Sequence, residues 1–225
     1  MPPVRVAAVV AARNEGGRVG ETVRAIRAIP GVDEVVVADG SSADRTAEEA
    51  RGARARVLVG PRRHGKGGAL EGALERVDPA QVYLFLDADL GATAAEGGVL
   101  VDEVVSGRAD LAIGLLPREP RHGGFRIVKG AAAAAIRRLS GFRAIEPLSG
   151  QRAVSAECLA AVRPLAPGFG VEVAMTVDAV RAGFRVVEVE VAIRHAPTGR
   201  DLAGFLHRGR QGLDLARAVL PRALR

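Results

Sequence analysis

The sequence predicts an α/β fold, a mostly parallel Rossmann-like sheet flanked by helices, and three observations carry the prediction. Strand-like and helix-like segments alternate about five times through residues 1–115, the pattern of repeated right-handed crossovers. The first strand-like run is apolar on both faces, as in a strand covered by helices on either side. Polar motifs follow strands immediately, which is where such sheets bind ligands.

In chain order, residues 4–11 form the first strand and 13–18 a polar loop. Residues 19–29 carry Val19, Val23 and Ile26 at helical spacing and stop at Pro30-Gly31. Residues 34–38 are a second strand. Ser42, Asp44 and Thr46 are suited to cap a helix that begins near Thr46. Residues 56–59 are a strand. Residues 67–77 are a helix with Leu70, Ala73, Leu74 and Val77 on one face. Residues 82–86 are a strand ending directly in Asp87, 94–105 a helix and 111–115 a strand. Beyond a basic Gly/Pro-rich loop at 117–124, residues 125–139 are helical, 147–150 a turn, 171–182 a helix and 184–193 an alternating strand. Residues 202–220 form a basic amphipathic helix.

Composition narrows the class. A chain of 225 residues supports one sizeable core, so a single domain is expected, with a ligand-binding half at 1–115 and a second half at 116–225. Hydrophobic residues at 48% and charged residues at 26% are those of a globular protein. No apolar run approaches the roughly 20 residues of a membrane span. The opening MPPVRVAAVVAARNE lacks the pattern of a secretion signal. The single cysteine, Cys158, excludes an internal disulfide, and a reducing cytoplasm fits. Cys158 itself reads as helix packing. The net charge is +6, carried almost wholly by arginine, since Lys66 and Lys129 are the only lysines. Aromatics at 3% argue against a stacking platform for nucleic acid.

The motif of greatest chemical content is LFLDADL at 84–90. Two carboxylates spaced i, i+2 at a strand end are hard oxygen ligands suited to Mg²⁺ or Mn²⁺ on a diphosphate. Asp39 ends a strand in VVVADGSSADRT and can accept hydrogen bonds from a base or ribose. HGKGGAL at 64–70 places Lys66 at a helix start, where a cation and backbone amides suit phosphate. It is no Walker motif, because the spaced upstream glycine and the following Ser/Thr are missing.

AARNE at 11–15, DGSSADRT at 39–46, GKGGAL at 65–70 and LDADL at 86–90, in this order, resemble the family 2 glycosyltransferases of GT-A fold. The resemblance implies that Asn14, Glu15 and Asp39 hold the base and ribose. It also implies that Asp87 approaches the ribose, Asp89 binds the metal and Lys66 sits near the phosphates. Ala11 stands where the family usually has proline. EPLSGQRAV at 146–154, GFGVEVAM at 168–175 and the late His195 resemble the acceptor half of the polyprenyl-phosphate and glucosyl-3-phosphoglycerate synthase branches. That likeness nominates His195 as a second metal ligand, against the plain alternative of a loop histidine beside Pro197. Glu172 orients the acceptor or favours its helix dipole. Ser149 and Gln151 are candidate acceptor contacts.

The expected activity is therefore metal-dependent transfer of a sugar from a nucleoside-diphosphate sugar. Asp89 and Glu172 are the expected catalytic residues. No carboxylate stands out as a general base, so an anionic acceptor, a phosphorylated or carboxylated small molecule or a lipid phosphate, is expected. Arginines at 118–126 and 194–210, Arg200 and Arg208 among them, suit it. Peripheral contact with the inner membrane face and a homodimer are compatible with the sequence; nucleic acid is not expected. Two other readings remain. AARNEGGRVG faintly resembles a nucleotidyltransferase triphosphate loop, although Glu15 would repel triphosphate. The basic terminal helix would suit a membrane-surface or nucleic-acid-binding module on a degenerate transferase fold. A lid over the donor, formed by residues 195–211, is a further expectation.

Overall fold

The computed structural model describes residues 4–60, 65–117, 124–195 and 217–223. Its centre is a seven-stranded sheet of order β3-β2-β1-β4-β6-β5-β7. The strands are β1 (Val6–Ala12), β2 (Val32–Asp39), β3 (Arg56–Val59), β4 (Val82–Asp87), β5 (Leu111–Leu115), β6 (Arg152–Ser155) and β7 (Val186–Glu190). The helices are α1 (Val19–Arg27), α2 (Thr46–Gly52), α3 (Gly65–Leu74), α4 (Gly97–Val105), α5 (Gly124–Ser140), α6 (Ala156–Val162) and α7 (Val171–Arg181).

The apolar run of β1 is explained by burial on both sides. Val6, Ala8, Val10 and Ala12 join one core with α1, α2 and α4. Ala7 and Val9 join the other with α3, α6 and α7. Helix α5 packs Ala132 and Ile136 onto Val173 and Val177 of α7, with Val219 of the helical segment 217–223 against them. Among the described residues no helix is long and apolar enough to cross a membrane.

After β1 the chain winds outward to β2 and β3, then returns to place β4 on the other side of β1. The crevice of an open α/β sheet opens at such a reversal, beyond the strand carboxyl ends. Register sharpens this. Ala12 of β1 lies beside Asp39, and Ala11 lies beside Asp87. The end of β1 is thus flanked by a carboxylate on each side.

Three expectations need correction. The stretch after the 147–150 turn, given no strand in the sequence reading, is β6, antiparallel to both β4 and β5. Its four residues are too few to show a period, and they begin with a buried arginine. The helix expected at 94–105 divides into a 3₁₀ turn, Gly91–Glu96, and α4. A Cβ at Gly97 would stand 3.2 Å from Leu86 Cδ1, so α4 begins where its backbone lies against β4. The strand at 184–193 contracts to β7, Val186–Glu190. Of the amphipathic helix at 202–220 only residues from 217 onward are described, and they are helical. Ala218 there packs with Ala166 and Ala174, and Arg222 Nε donates to Asp178 at 2.8 Å.

Candidate functional site

A cavity of about 480 Å³ lies at the carboxyl ends of β1 and β4. Its floor is a chain of polar contacts from five separate segments. Lys66, in the first turn of α3, places Nζ 2.6 Å from Asp87 Oδ1 and 2.8 Å from Glu172 Oε1. Gln151, just before β6, donates from Nε2 to Asp87 Oδ2 at 3.1 Å. The same nitrogen lies 3.2 Å from His195 Nε2. An amide nitrogen can only donate, so His195 Nε2 accepts and Nδ1 carries the ring proton. That proton goes to Asp89 Oδ1, 3.0 Å away. One network therefore links both acids of the Asp-Ala-Asp motif to Lys66, Gln151, Glu172 and His195.

Charge follows from the packing. Burial alone would lower the Lys66 pKa, but Asp87 and Glu172 outweigh it and hold the ammonium above its ordinary value. Burial pushes Asp87 up, yet Lys66, His195 and the Gln151 hydrogen bond leave its carboxyl below the usual carboxylate range. Behind the floor, Arg152 is only 2% exposed. Its Nε donates to the Ser149 carbonyl at 2.8 Å and its Nη1 to Thr176 Oγ1 at 2.9 Å. Burial lowers its pKa to about 10, with Glu172 and Glu188 opposing, so it remains a cation at neutral pH.

The glycines of GKGG answer to packing. A Cβ at Gly67 would fall 1.8 Å from the Ala166 carbonyl oxygen, and one at Gly65 2.8 Å from Gly168 Cα. Gly65 also has φ +57°, open to glycine at little cost. The start of α3 is thereby pressed against the turn that precedes α7, which brings Lys66 to Glu172.

Of the residues nominated from sequence, Glu15, Lys66, Asp87, Asp89, Ser149, Gln151, Glu172 and His195 all line the cavity. Asn14 and Asp39 are not among its lining residues. Asn14 takes φ +56° and accepts through Oδ1 from the Ala43 amide at 2.9 Å. Asp39, 2% exposed, accepts through Oδ1 from the Ser42 amide at 3.0 Å and from the Ser42 hydroxyl. Arg200 and Arg208 lie outside the described residues, as does nearly all of the expected lid. Buried Ser149 Oγ and Gln151 Oε1 have no hydrogen-bond partner among the described residues. Burial, with Asp89 nearby, raises the Glu15 pKa, while Arg18 opposes.

Sequence reasoning missed Arg13, Glu146 and Phe169 of the cavity wall and Arg152 behind it. Glu146 pairs with Lys129 at 2.5 Å. The one signal for Arg152 was a charged residue directly before the apolar pair Ala153-Val154. The expected capping role holds for Asp44, whose Oδ1 accepts the amide of Thr46, the first residue of α2, at 3.1 Å; Ser42 and Thr46 instead bond across to the loop after β1.

The described lining carries five carboxylates (Glu15, Asp87, Asp89, Glu146 and Glu172) against the cations Arg13 and Lys66, with His195 beside them. Such a cavity repels a diphosphate unless positive charge is added. Asp89 and His195 fit a divalent cation that takes the place of the proton between them. Their donor atoms are 3.0 Å apart, the separation of adjacent ligands around an octahedral ion with bonds of about 2.1 Å. Among the described residues no group of three or more His, Cys, Asp or Glu is placed to hold a metal. The protein would thus leave most coordination positions to ligand and water, as Mg²⁺ sites usually do.

Sheet order, switch-point crevice and acidic strand end together place the molecule in the GT-A class of nucleotide-sugar-binding folds. The chain belongs to glycosyl transferase family 2, whose family model matches residues 7–155. It is 31% identical over 179 residues to glycosyltransferase AglJ of Haloferax volcanii, covering 76% of this chain and 57% of that protein. It is 30% identical over 196 residues to glucosyl-3-phosphoglycerate synthase of Mycolicibacterium smegmatis, covering 77% and 63%. The chain therefore spans less than two thirds of either relative. The glucosyl-3-phosphoglycerate synthase of Mycobacterium tuberculosis, crystallised with Mn²⁺, UDP-glucose and glycerol 3-phosphate, superposes with a TM-score of 0.76 at 26% identity. That match covers 96% of this chain and 80% of the other.

Proposed function

We propose that this chain is a metal-dependent glycosyltransferase that moves a sugar from a nucleoside-diphosphate sugar to an anionic acceptor. The observation that carries the reading is the network Asp89–His195–Gln151–Asp87–Lys66–Glu172 at the switch point of a family 2 sheet. It rests also on the Mycobacterium tuberculosis neighbour, which binds UDP-glucose, Mn²⁺ and the anion glycerol 3-phosphate.

In this reading Glu15, with Asn14 and Asp39 in the loops behind it, contributes to the nucleoside side of the cavity. Asp89 and His195 hold Mg²⁺ or Mn²⁺, which supplies charge neutralisation for the departing diphosphate. Lys66 orients Asp87 and Glu172 and places a fixed cation near the transferred group. Asp87, Asp89, Glu146 and Glu172 each already have a partner and Glu15 pairs with Arg18 at 3.6 Å, so none is a free general base. An acceptor that arrives ionised, a phosphate or carboxylate, needs none. Ser149, Gln151, Arg200 and Arg208 belong to the acceptor side. The catalytic unit is one domain in which residues 1–115 bind the donor and 116–225 the acceptor. The two parts are interleaved, since β5 lies between β6 and β7. A lipid-phosphate acceptor would bring the protein to the inner membrane face.

The nucleotidyltransferase reading loses its support. It needs backbone amides of the loop after β1 for a triphosphate, and those of residues 14–17 are all taken by side chains.

The test is a thermal-shift screen of nucleoside diphosphates and their sugars, with and without Mn²⁺. The expected result is a rise in Tm that requires nucleotide and metal together, followed by transfer to phosphorylated but not neutral acceptors. Stabilisation by a nucleoside triphosphate with pyrophosphate release, or none by any nucleotide, would defeat the proposal.

A further inference from the structure

The loop after β1 is fastened to the loop after β2 by a run of side-chain acceptors. The Asn14 amide donates to Ser42 Oγ at 2.9 Å, Glu15 to Thr46 Oγ1 at 2.8 Å, Gly16 to Asp44 Oδ2 at 2.9 Å and Gly17 to Glu49 Oε2 at 2.5 Å. Four consecutive amides are thus satisfied by four side chains from one short segment. The Thr46 hydroxyl passes its own proton to Asp44 Oδ1, and Asn14 Oδ1 returns a bond to the Ala43 amide at 2.9 Å. Thr46 is fully buried, so removing its oxygen would strand the Glu15 amide. The fit is close as well, for a Cβ at Gly16 would meet Asp44 Oδ2 at 3.0 Å.

We infer that Ser42, Asp44, Thr46 and Glu49 are positioning residues that hold the loop after β1 in the shape that sets Glu15 and Arg13 at the cavity wall. Asp44 also accepts the first amide of α2, that of Thr46, through Oδ1 at 3.1 Å, and none of the four lines the cavity. Their effect passes through Glu15. Its carbonyl accepts from the amides of Arg18 at 3.1 Å and Val19 at 3.0 Å, so the latch also fixes the start of α1. Asp39 belongs to the same device, because the hydroxyl that receives the Asn14 amide gives its proton to Asp39. The amides of 14–17 are thereby withheld from any bound phosphate, leaving side chains as the recognition elements of this loop.

The functional arm of the test rests on the proposed nucleotide-binding role, whereas its exchange arm does not. Thr46→Val keeps the shape and removes the acceptor; Thr46→Ser keeps the acceptor; Asp44→Ala alters an exposed member should Thr46→Val fail to fold. Amide hydrogen exchange at residues 14–17 is read on the free protein. UDP affinity with Mn²⁺ and donor KM and kcat are read on the same samples. In Thr46→Val or Asp44→Ala, exchange at 14–17 should quicken and UDP Kd and donor KM should rise about tenfold. Turnover at saturating donor should stay within about threefold, and Thr46→Ser should match the wild type. Unchanged exchange at 14–17, or a lower Tm with unchanged UDP affinity, overturns the inference. A wild-type protein that binds no nucleotide defeats the proposed function instead, and exchange then decides the latch alone.

Discussion

Gly150→Ala probes the tightest point of the site. A Cβ at position 150 would lie 2.5 Å from Lys66 Nζ and 2.8 and 3.0 Å from the two Asp87 oxygens. Ordinary contact needs about 3.5 Å or more, so Lys66 must retreat by about 1 Å. It has little room to do so, being bound at 2.6 Å to Asp87 and at 2.8 Å to Glu172. The turn carrying residue 150 is held in turn by the bond from Arg152 to the Ser149 carbonyl. Gly150 is not among the residues of positive φ, so the backbone accepts alanine and the clash alone is tested. Forcing a methyl into such packing costs about 1–3 kcal/mol. Borne by the transition state, that is a fall of roughly tenfold to a hundredfold in kcat/KM. Borne by the fold, it lowers Tm by about 2–4 °C per kcal/mol for a domain of this size. Steady-state transfer kinetics and a thermal melt of the same preparation measure both. A variant within twofold of wild-type kcat/KM and unchanged in Tm would show that Lys66 and Asp87 part freely, and would refute the rigid-network argument.

The remaining predictions concern other members of the site and the core. Lys66→Met leaves Asp87 and Glu172 facing each other without their shared cation and should cost about 3–5 kcal/mol, measured by urea unfolding at neutral pH. Asp89→Asn should abolish the metal-dependent thermal shift by UDP while the free protein melts as wild type; a retained shift would remove Asp89 from the metal assignment. Burial, with Asp110 adding, pushes the Cys158 thiol up to about 12. Cys158 should therefore not react with a disulfide reagent at pH 8 until the protein is unfolded.

The separate motifs were legible because each is local. The apolar run of β1, the acids closing β4 and the helical spacing of α1 and α7 are patterns within a few residues, and most elements fall within a few residues of where those patterns end. β6 was not legible, since four residues beginning with Arg152 show no period. Nor was the partner of Lys66. Its helix-start position suits phosphate, but the glycines that surround it admit the 166–168 backbone and bring Glu172 close.

By itself the sequence determined the class of sheet, the order of its motifs and the residues able to do metal and nucleotide chemistry. Periodicity and residue type are properties of short windows. Tertiary structure alone decided which of those residues meet. His195 reaches Asp89 across 106 positions and Gln151 reaches Asp87 across 64. Gln151 does so because β6 inserts antiparallel beside β4, and His195 because the chain after β7 returns to the segment after β4, where Arg194 and Thr93 exchange bonds; no local pattern encodes either. The same holds for Asp44 and Thr46. Read along the chain they suit a helix cap, and Asp44 does accept the first amide of α2; in the fold both also grip the loop of a neighbouring strand, because parallel pairing of β1 and β2 sets the two loops side by side.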